Sequence, residues 1–310
     1  MSHITYLEIH RYLPQGVKRI IAHGGGCWIG EVDDMTVLKY PHTREEMKWV
    51  QIEAKILSIL GRHPRIVQLK GRTKDGLLLE FAPNGNLHDY LMAHPEALVE
   101  RRLAWCMQAT EAVAYIHSKR ILHCDIRQDN LLLDANLDLK LADFQGQHFS
   151  ADGDILLDAL SLESTKAYLP RKPADHASIR TDLFALGSAI YFITTGHELF
   201  PDLDKPEDEG EVERRFRAGE FPTDPHVCAA ITAKCWKQLY SSARQVLADL
   251  EAVREAIARG ETPDSVAENV VSVPDKDATP PPATSWLSGL CDDRQGLKVP
   301  PPYRQLVGFD

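Results

Sequence analysis

The sequence predicts an α+β fold in two lobes: a small β-rich N-terminal lobe with one main helix, and a larger, mostly helical C-terminal lobe. Three observations carry this. Thr36-Val37-Leu38-Lys39-Tyr40 is a β-branched, alternating run that reads as a strand. Trp49, Val50, Glu53, Ile56, Leu57 and Leu60 fall on one face at helical spacing. Thr181 to Gly187, continuing through Ala189-Ile190-Tyr191-Phe192-Ile193, reads as a helix apolar nearly all round, and such a helix sits at the centre of its domain. At 310 residues the chain is long for a single core, which suits two lobes sharing a cleft.

The elements follow from the N-terminus. Ile21-Ala22-His23-Gly24-Gly25-Gly26-Cys27-Trp28-Ile29-Gly30 is a hairpin whose consecutive glycines either let the backbone approach an anion closely or simply turn between two strands. Thr43-Arg44-Glu45-Glu46 has the form of a capping box opening the helix that carries Glu53. Glu53 lies inside the apolar stripe, where a carboxylate is costly unless paired, and Lys39 is the expected partner; the alternative is a wet position at the stripe edge. Gly76 to Phe81 reads as a buried strand running into an Ala82-Pro83-Asn84-Gly85 turn and then a helix. Leu131 to Leu141 reads as two short buried strands brought back to back by Asp134-Ala135-Asn136. Ser242 to Arg259 is an amphipathic helix, and the folded part stops near Gly260. Glu261 to Asp310, with proline punctuation and little periodicity, reads as a disordered tail.

The chemistry concentrates in His123-Cys124-Asp125-Ile126-Arg127-Gln128-Asp129-Asn130 and in Asp143-Phe144 beyond the hairpin. Two carboxylates and a carboxamide at this spacing suit phosphoryl transfer, where catalysis is mostly positioning and charge neutralisation. Asp125 would receive a hydroxyl proton, while Asn130 and Asp143 would hold Mg²⁺. The bland alternative is a capped hairpin with no chemistry, which leaves the upstream and downstream features unexplained.

These residues resemble the catalytic loop and metal motif of the eukaryotic protein kinases, H-R-D-L-x-x-x-N and D-F-G, with Cys124 in place of the Arg and Gln145 in place of the Gly. The likeness spans roughly Ile20 to Ile257 and in flavour resembles kinase-like proteins of filamentous fungi. It implies a bilobal protein kinase fold binding ATP and Mg²⁺. Lys39 would be the phosphate-contacting lysine and Glu53 its partner. Gly24 and Gly25 would belong to the loop over the phosphates, with Ala22 and Cys27 replacing two motif glycines. Ile29, Val37, Leu79, Glu80, Ala82 and Leu132 would line the nucleotide site, the backbone at Glu80 and Ala82 facing the adenine edge. Val37 stands where the family usually has Ala and would narrow that slot.

The resemblance also implies that Asp182 braces the catalytic loop, that Arg127 takes the γ-phosphate role Lys plays in most of the serine/threonine class, and that Thr165 stands where that class contacts the base. A buried Glu–Arg pair usual in the family is missing at both ends, with Arg171 and Tyr240 in its places; losing both partners together can be near neutral. Cys124 cannot form a bidentate pair, so a phosphate on Ser161, Ser164 or Thr165 would lack that partner. The expected function is transfer of the ATP γ-phosphoryl group to Ser or Thr hydroxyls of a protein substrate. Gln145, Ala22, Cys27 and Val37 support a second reading, a pseudokinase that binds nucleotide or partners. A small-molecule kinase is disfavoured by the hinge and activation-segment resemblances.

Composition narrows the partners. A net charge of −10 without an offsetting basic stripe argues against nucleic acid. The absence of a transmembrane-length apolar run or a signal peptide argues against a membrane. The six cysteines have no C-x-x-C or zinc spacing, which fits a reducing compartment, so a cytoplasmic or nuclear monomer is expected. The organisation is an N-terminal extension (1–18), small lobe and hinge (19–82), large lobe (83–260) and tail (261–310). Within the tail, Pro300-Pro301-Pro302-Tyr303 fits the pattern that WW domains bind.

Overall fold

The computed structural model describes residues 12–24, 26–172 and 175–261. Gly25, Pro300 to Tyr303 and the tail beyond Glu261 lie outside the described residues. Strands β1 (Arg19–Gly24), β2 (Cys27–Asp33), β3 (Thr36–Pro41), β4 (Leu69–Arg72) and β5 (Leu77–Glu80) form one antiparallel sheet in the order β1-β2-β3-β5-β4. Directly opposed residues share a face of a sheet, so the pairings Ile29 with Lys39, Val37 with Leu79 and Lys39 with Leu77 gather these side chains on one side. Helix α1 (Met47–Leu60) packs on β3 and β4 and buries Val50, Glu53, Ala54, Ile56, Leu57 and Leu60, the stripe legible in the sequence.

The start of α1 corrects the capping-box expectation. Residues 43–46 form a turn, the helix begins at Met47, and its N-terminal residue makes no side-chain cap. Only half of the reciprocal pair exists, the Thr43 N–H donating to Glu46 Oε2 at 3.0 Å. The cause is the sheet: the His42 N–H still pairs with Gly26 O at 2.9 Å, so the chain needs Thr43 to Glu46 to turn away before a helix can start.

The larger lobe contains α2 (Leu87–Ala93), α3 (Val99–Ser118), β6 (Ile121–Leu122), β7 (Leu131–Leu133), β8 (Leu139–Leu141), β9 (Gln147–Phe149), β10 (Ile155–Asp158), α4 (Ile179–Thr195), α5 (Glu209–Ala218), α6 (Ala229–Trp236) and α7 (Ala243–Ala258). α2 is opened by Asn86, whose side chain accepts the Asp89 N–H at 2.8 Å. α4 is buried without a break from Thr181 to Ile193 and packs between α3 and α6. Fully burying a large aliphatic or aromatic side chain stabilises by about 1.5–3 kcal/mol, so this helix anchors the lobe without needing an amphipathic pattern. β7 and β8 pair as Leu131 with Leu141 and Leu133 with Leu139. Their turn is held by the Asp134 carboxylate, which accepts the amides of Asn136 at 2.8 Å and Asp138 at 3.0 Å. β6, β9 and β10 form a small sheet in the order β10-β9-β6. No described helix is long and apolar enough to cross a membrane.

Candidate active site

β3 and α1 bring together two residues fourteen positions apart. Lys39 Nζ lies 2.6 Å from Glu53 Oε2, with the Glu53 side chain fully shielded from solvent. The same ammonium lies 2.5 Å from Oδ1 of Asp143, which arrives from the other lobe just after β8. Burial alone would push the Lys39 pKa down, but Asp143 and Glu53 outweigh it and hold the ammonium above the ordinary lysine range. Burial raises the Glu53 carboxyl, with Lys39 pulling the other way. Asp143 is lowered: burial opposes, and Lys39 prevails.

The catalytic loop leaves β6 and is held from beneath by Asp182 on α4. Asp182 Oδ2 accepts the His123 N–H at 2.9 Å and Oδ1 accepts the Cys124 N–H at 3.0 Å. His117 Nε2, at the end of α3, lies 2.9 Å from Oδ2. These bonds fix a left-handed backbone at Cys124 (φ 61°), a conformation that costs a non-glycine residue free energy unless its surroundings impose it. His123 is buried, its Nε2 2.8 Å from Ala142 O and its ring edge-on to Phe144 at 5.1 Å, so the loop and the segment carrying Asp143 are locked together.

Asn130 Nδ2 donates to Asp125 O at 2.8 Å and to Asp125 Oδ2 at 2.9 Å. Burial raises the Asp125 pKa, partly offset by Arg127 and His123. Arg127 Nε lies 3.5 Å from Asp125 Oδ2, and its side chain is 40% exposed. The amide geometry commits the Asn130 nitrogen and leaves its oxygen without a hydrogen bond among the described residues, as is the second oxygen of the 40%-exposed Asp143. Two uncommitted hard oxygens, in a pocket where two carboxylates face one ammonium, fit Mg²⁺, which binds through one or two protein oxygens together with substrate phosphates. No group of three or more His, Cys, Asp or Glu side chains placed to hold a metal occurs among the described residues.

Above this chemistry, Ile29 and Val37 share the face of Lys39, and Leu79 stands beside Val37. In the hinge, the Glu80 N–H is committed to Gln68 O at 2.9 Å and the Glu80 carboxylate pairs with Lys140 at 3.1 Å. The Ala82 carbonyl accepts the Gly85 N–H at 3.1 Å, and the Ala82 N–H carries no hydrogen bond among the described residues. Leu132 lies on β7, bridged to Asn86. Gly24 closes the glycine hairpin by pairing with Cys27, whose buried thiol is pushed up to about 12.

One sequence-based placement is corrected. The Thr165 hydroxyl donates to Glu209 Oε1 at 3.2 Å, not to Asp125, because the short helical turn Thr165–Ala167 packs on α5. The missing Glu–Arg pair is replaced by separate local partners: Arg171 Nη1 lies 2.6 Å from Glu163 Oε2, and the Tyr240 hydroxyl donates to Asp249 Oδ2 at 2.5 Å. Two contributors escaped sequence reasoning. Nothing in its sequence neighbourhood singles out His117 beyond its place shortly before the catalytic loop. Gly146 is the other: a Cβ there would fall 2.0 Å from Leu122 O and 2.5 Å from His123 O, so β9 crosses the root of the catalytic loop with no room for a side chain. The signal was present in Asp143-Phe144-Gln145-Gly146, where the glycine follows one place late. Gln145 is tolerated because the positive φ in this turn falls at Asp143 (64°) and not at position 145.

A five-stranded lobe bearing a Lys–Glu pair, set over a helical lobe whose braced loop presents an Asp and an Asn beside a second metal-competent Asp, defines the protein kinase class. The protein kinase domain model matches residues 33–256, and the chain belongs to that family. Serine/threonine-protein kinase SIK2 of Gallus gallus is 33% identical over 179 residues, 56% of this chain and 22% of that protein. Aurora kinase A-B of Xenopus laevis is 33% identical over 181 residues, 56% of this chain and 42% of that protein. Salt tolerance receptor-like cytoplasmic kinase 1 of Oryza sativa subsp. japonica is 34% identical over 204 residues, covering 58% of this chain and 56% of that protein. The chain thus spans about a fifth to just over half of the length of these relatives.

Proposed function

We propose that the protein transfers the γ-phosphoryl group of ATP to Ser or Thr hydroxyls of a protein substrate. The observation that carries this reading is Lys39 held at once by Glu53 at 2.6 Å and by Asp143 at 2.5 Å, since the pairing aims the phosphate-binding cation and the metal carboxylate at one place. In this reading Lys39 orients the nucleotide phosphates, and the uncommitted oxygens of Asn130 and Asp143 hold Mg²⁺. The metal supplies charge neutralisation on the phosphate oxygens. Asp125, oriented by Asn130, takes the proton of the acceptor hydroxyl, and Arg127 sits close enough to Asp125 to meet the γ-phosphate. The Ala82 N–H is the free hinge donor for the adenine edge.

The test is phosphate incorporation from Mg·ATP into casein by wild type and by Asp125→Asn. Wild type should label Ser or Thr, and the variant should lose on the order of 10²–10⁴-fold in rate while binding Mg·ATP about as well. Equal labelling by the two would remove Asp125 from the role of base.

A second reading, a pseudokinase that binds nucleotide without transfer, is favoured by Cys27, which puts a buried thiol where the family has a glycine. It predicts Mg·ATP binding with no label in any substrate. A cytoplasmic or nuclear monomer, and a WW-domain partner bound through Pro300 to Tyr303, belong to the same proposal on sequence grounds alone. A peptide covering Lys298 to Leu306 should bind a WW domain, and Tyr303→Ala should abolish that binding.

A further inference from the structure

The segment between Asp143 and α4 carries an ion pair with no part in the site just described. Arg171 Nη1 lies 2.6 Å from Glu163 Oε2, with the Glu163 side chain 4% exposed and that of Arg171 20% exposed. The guanidinium is further fixed by Leu169 O and Asp175 O, each at 3.3 Å, and lies over the Tyr168 ring at 4.8 Å. From α5, Arg217 Nη2 donates to Arg171 O at 3.2 Å. The pair closes a loop over residues 163–171. The outer side of that loop is tied to the body of the large lobe by Thr165 with Glu209 at 3.2 Å and Lys166 with Asp204 at 2.9 Å.

Cys124, on the catalytic loop, is 4% exposed and lies in the field of Asp182, Glu163 and Asp158, with Arg171 opposing them. A thiol in that place contributes no positive charge at neutral pH. A buried carboxylate such as Glu163 is costly alone, and a partner from its own segment converts that cost into a cross-brace. A phosphate added nearby would meet Asp158 and Glu163 with the fixed cation already engaged, so it would gain little and be repelled.

We propose that Glu163 and Arg171 form a permanent brace that orders residues 155–172 for binding of the protein substrate without phosphorylation of this segment. Both are positioning residues, acting through the loop that Thr165 and Lys166 occupy. The link to substrate rests on the kinase reading above; the brace itself does not.

The experiment uses the full chain after phosphatase treatment and compares wild type, Glu163→Gln, Arg171→Gln and the exchanged pair Glu163→Arg with Arg171→Glu. Three quantities are read: amide hydrogen exchange over residues 155–172, affinity for Mg·ATP, and KM and kcat for casein. Phosphatase should leave exchange in the wild type unchanged. Each single variant should speed exchange in this segment by about tenfold or more, a local opening that leaves the rest of the lobe protected. KM for casein should rise while Mg·ATP affinity stays within about twofold. The exchanged pair should recover most of the protection, and should recover folding if a single variant fails to fold. The proposal is overturned if phosphatase alone loosens the segment, if the single variants exchange like wild type, or if the exchanged pair rescues neither protection nor folding. A wild type that transfers no phosphate would sink the kinase reading while hydrogen exchange still decided the brace.

Discussion

At the scale of single residues, the two ends of the Lys39–Glu53 pair are not equivalent. Removing Lys39 strands Glu53, fully shielded and without another cation paired to it among the described residues, whereas removing the Glu53 charge leaves Lys39 paired with Asp143. Lys39→Ala should therefore destabilise by about 3–5 kcal/mol at neutral pH, the usual result of orphaning one member of a buried pair. Glu53→Gln should cost clearly less, and urea denaturation of the two variants would rank them. Two aspartates give opposite acid behaviour. Asp125 is raised by burial, so its proton returns early on acidification, and the acidic limb of kcat/KM should lie above the ordinary aspartate value of about 3.9. A limb at or below that value would exclude Asp125 as the titrating base. Asp182 is buried too, but His117 and the His123 amide outweigh burial and hold it below the ordinary value. Because the folded state binds this proton less readily than the unfolded chain does, the stability it contributes is complete above the unfolded pKa of about 3.9. That contribution drains as pH falls through the lower folded value. Asp182→Asn should flatten the stability curve below about pH 4.

At the scale of elements, the decisive contact is the crossing of β9 over the root of the catalytic loop. A Cβ at position 146 would meet backbone oxygens, which cannot swing aside as a flexible side chain would, so Gly146→Ala must displace one strand or the other. The expected loss is about 1–3 kcal/mol or more of stability, with a larger fall in any transfer rate because His123 and Asp125 move with the loop. The neighbour serves as the control. Position 145 has an ordinary φ, so Gln145→Gly should shift stability by only about 0.5–1 kcal/mol, through the entropy of the unfolded chain. Calorimetric melting of both variants distinguishes a demand for glycine at 146 from a general sensitivity of the turn.

At the scale of the whole molecule, Asp143 is one of the points at which the two lobes meet, its carboxylate reaching from the end of β8 to Lys39 on β3. A ligand bridging the same groups should stabilise both lobes together. Mg·ATP at about 100 times its Kd should add roughly 2.7 kcal/mol and raise the Tm in a single cooperative transition. Asp143→Asn should remove the metal-dependent part, and the absence of any shift at millimolar Mg·ATP would leave only the pseudokinase reading, as a module that binds partners.

Much of this was legible in the chain itself. Helical spacing marked the buried face of α1, the apolar run marked α4 as central, and the offsets among Asp125, Asn130 and Asp143 marked the loop, because local periodicity and short-range spacing are written into consecutive residues. The Glu53 carboxylate pointed to Lys39 for the same reason: a charge in an apolar stripe announces that it needs a partner. What only the tertiary structure decided are encounters between segments far apart in the chain. The sheet pairing at His42 delays the start of α1; α5 draws Thr165 away from Asp125; His117 joins Asp182; and Gly146 crosses the root of the catalytic loop. A residue's type and neighbours state what it requires. Which distant group supplies it depends on where the packed elements bring the chain back upon itself.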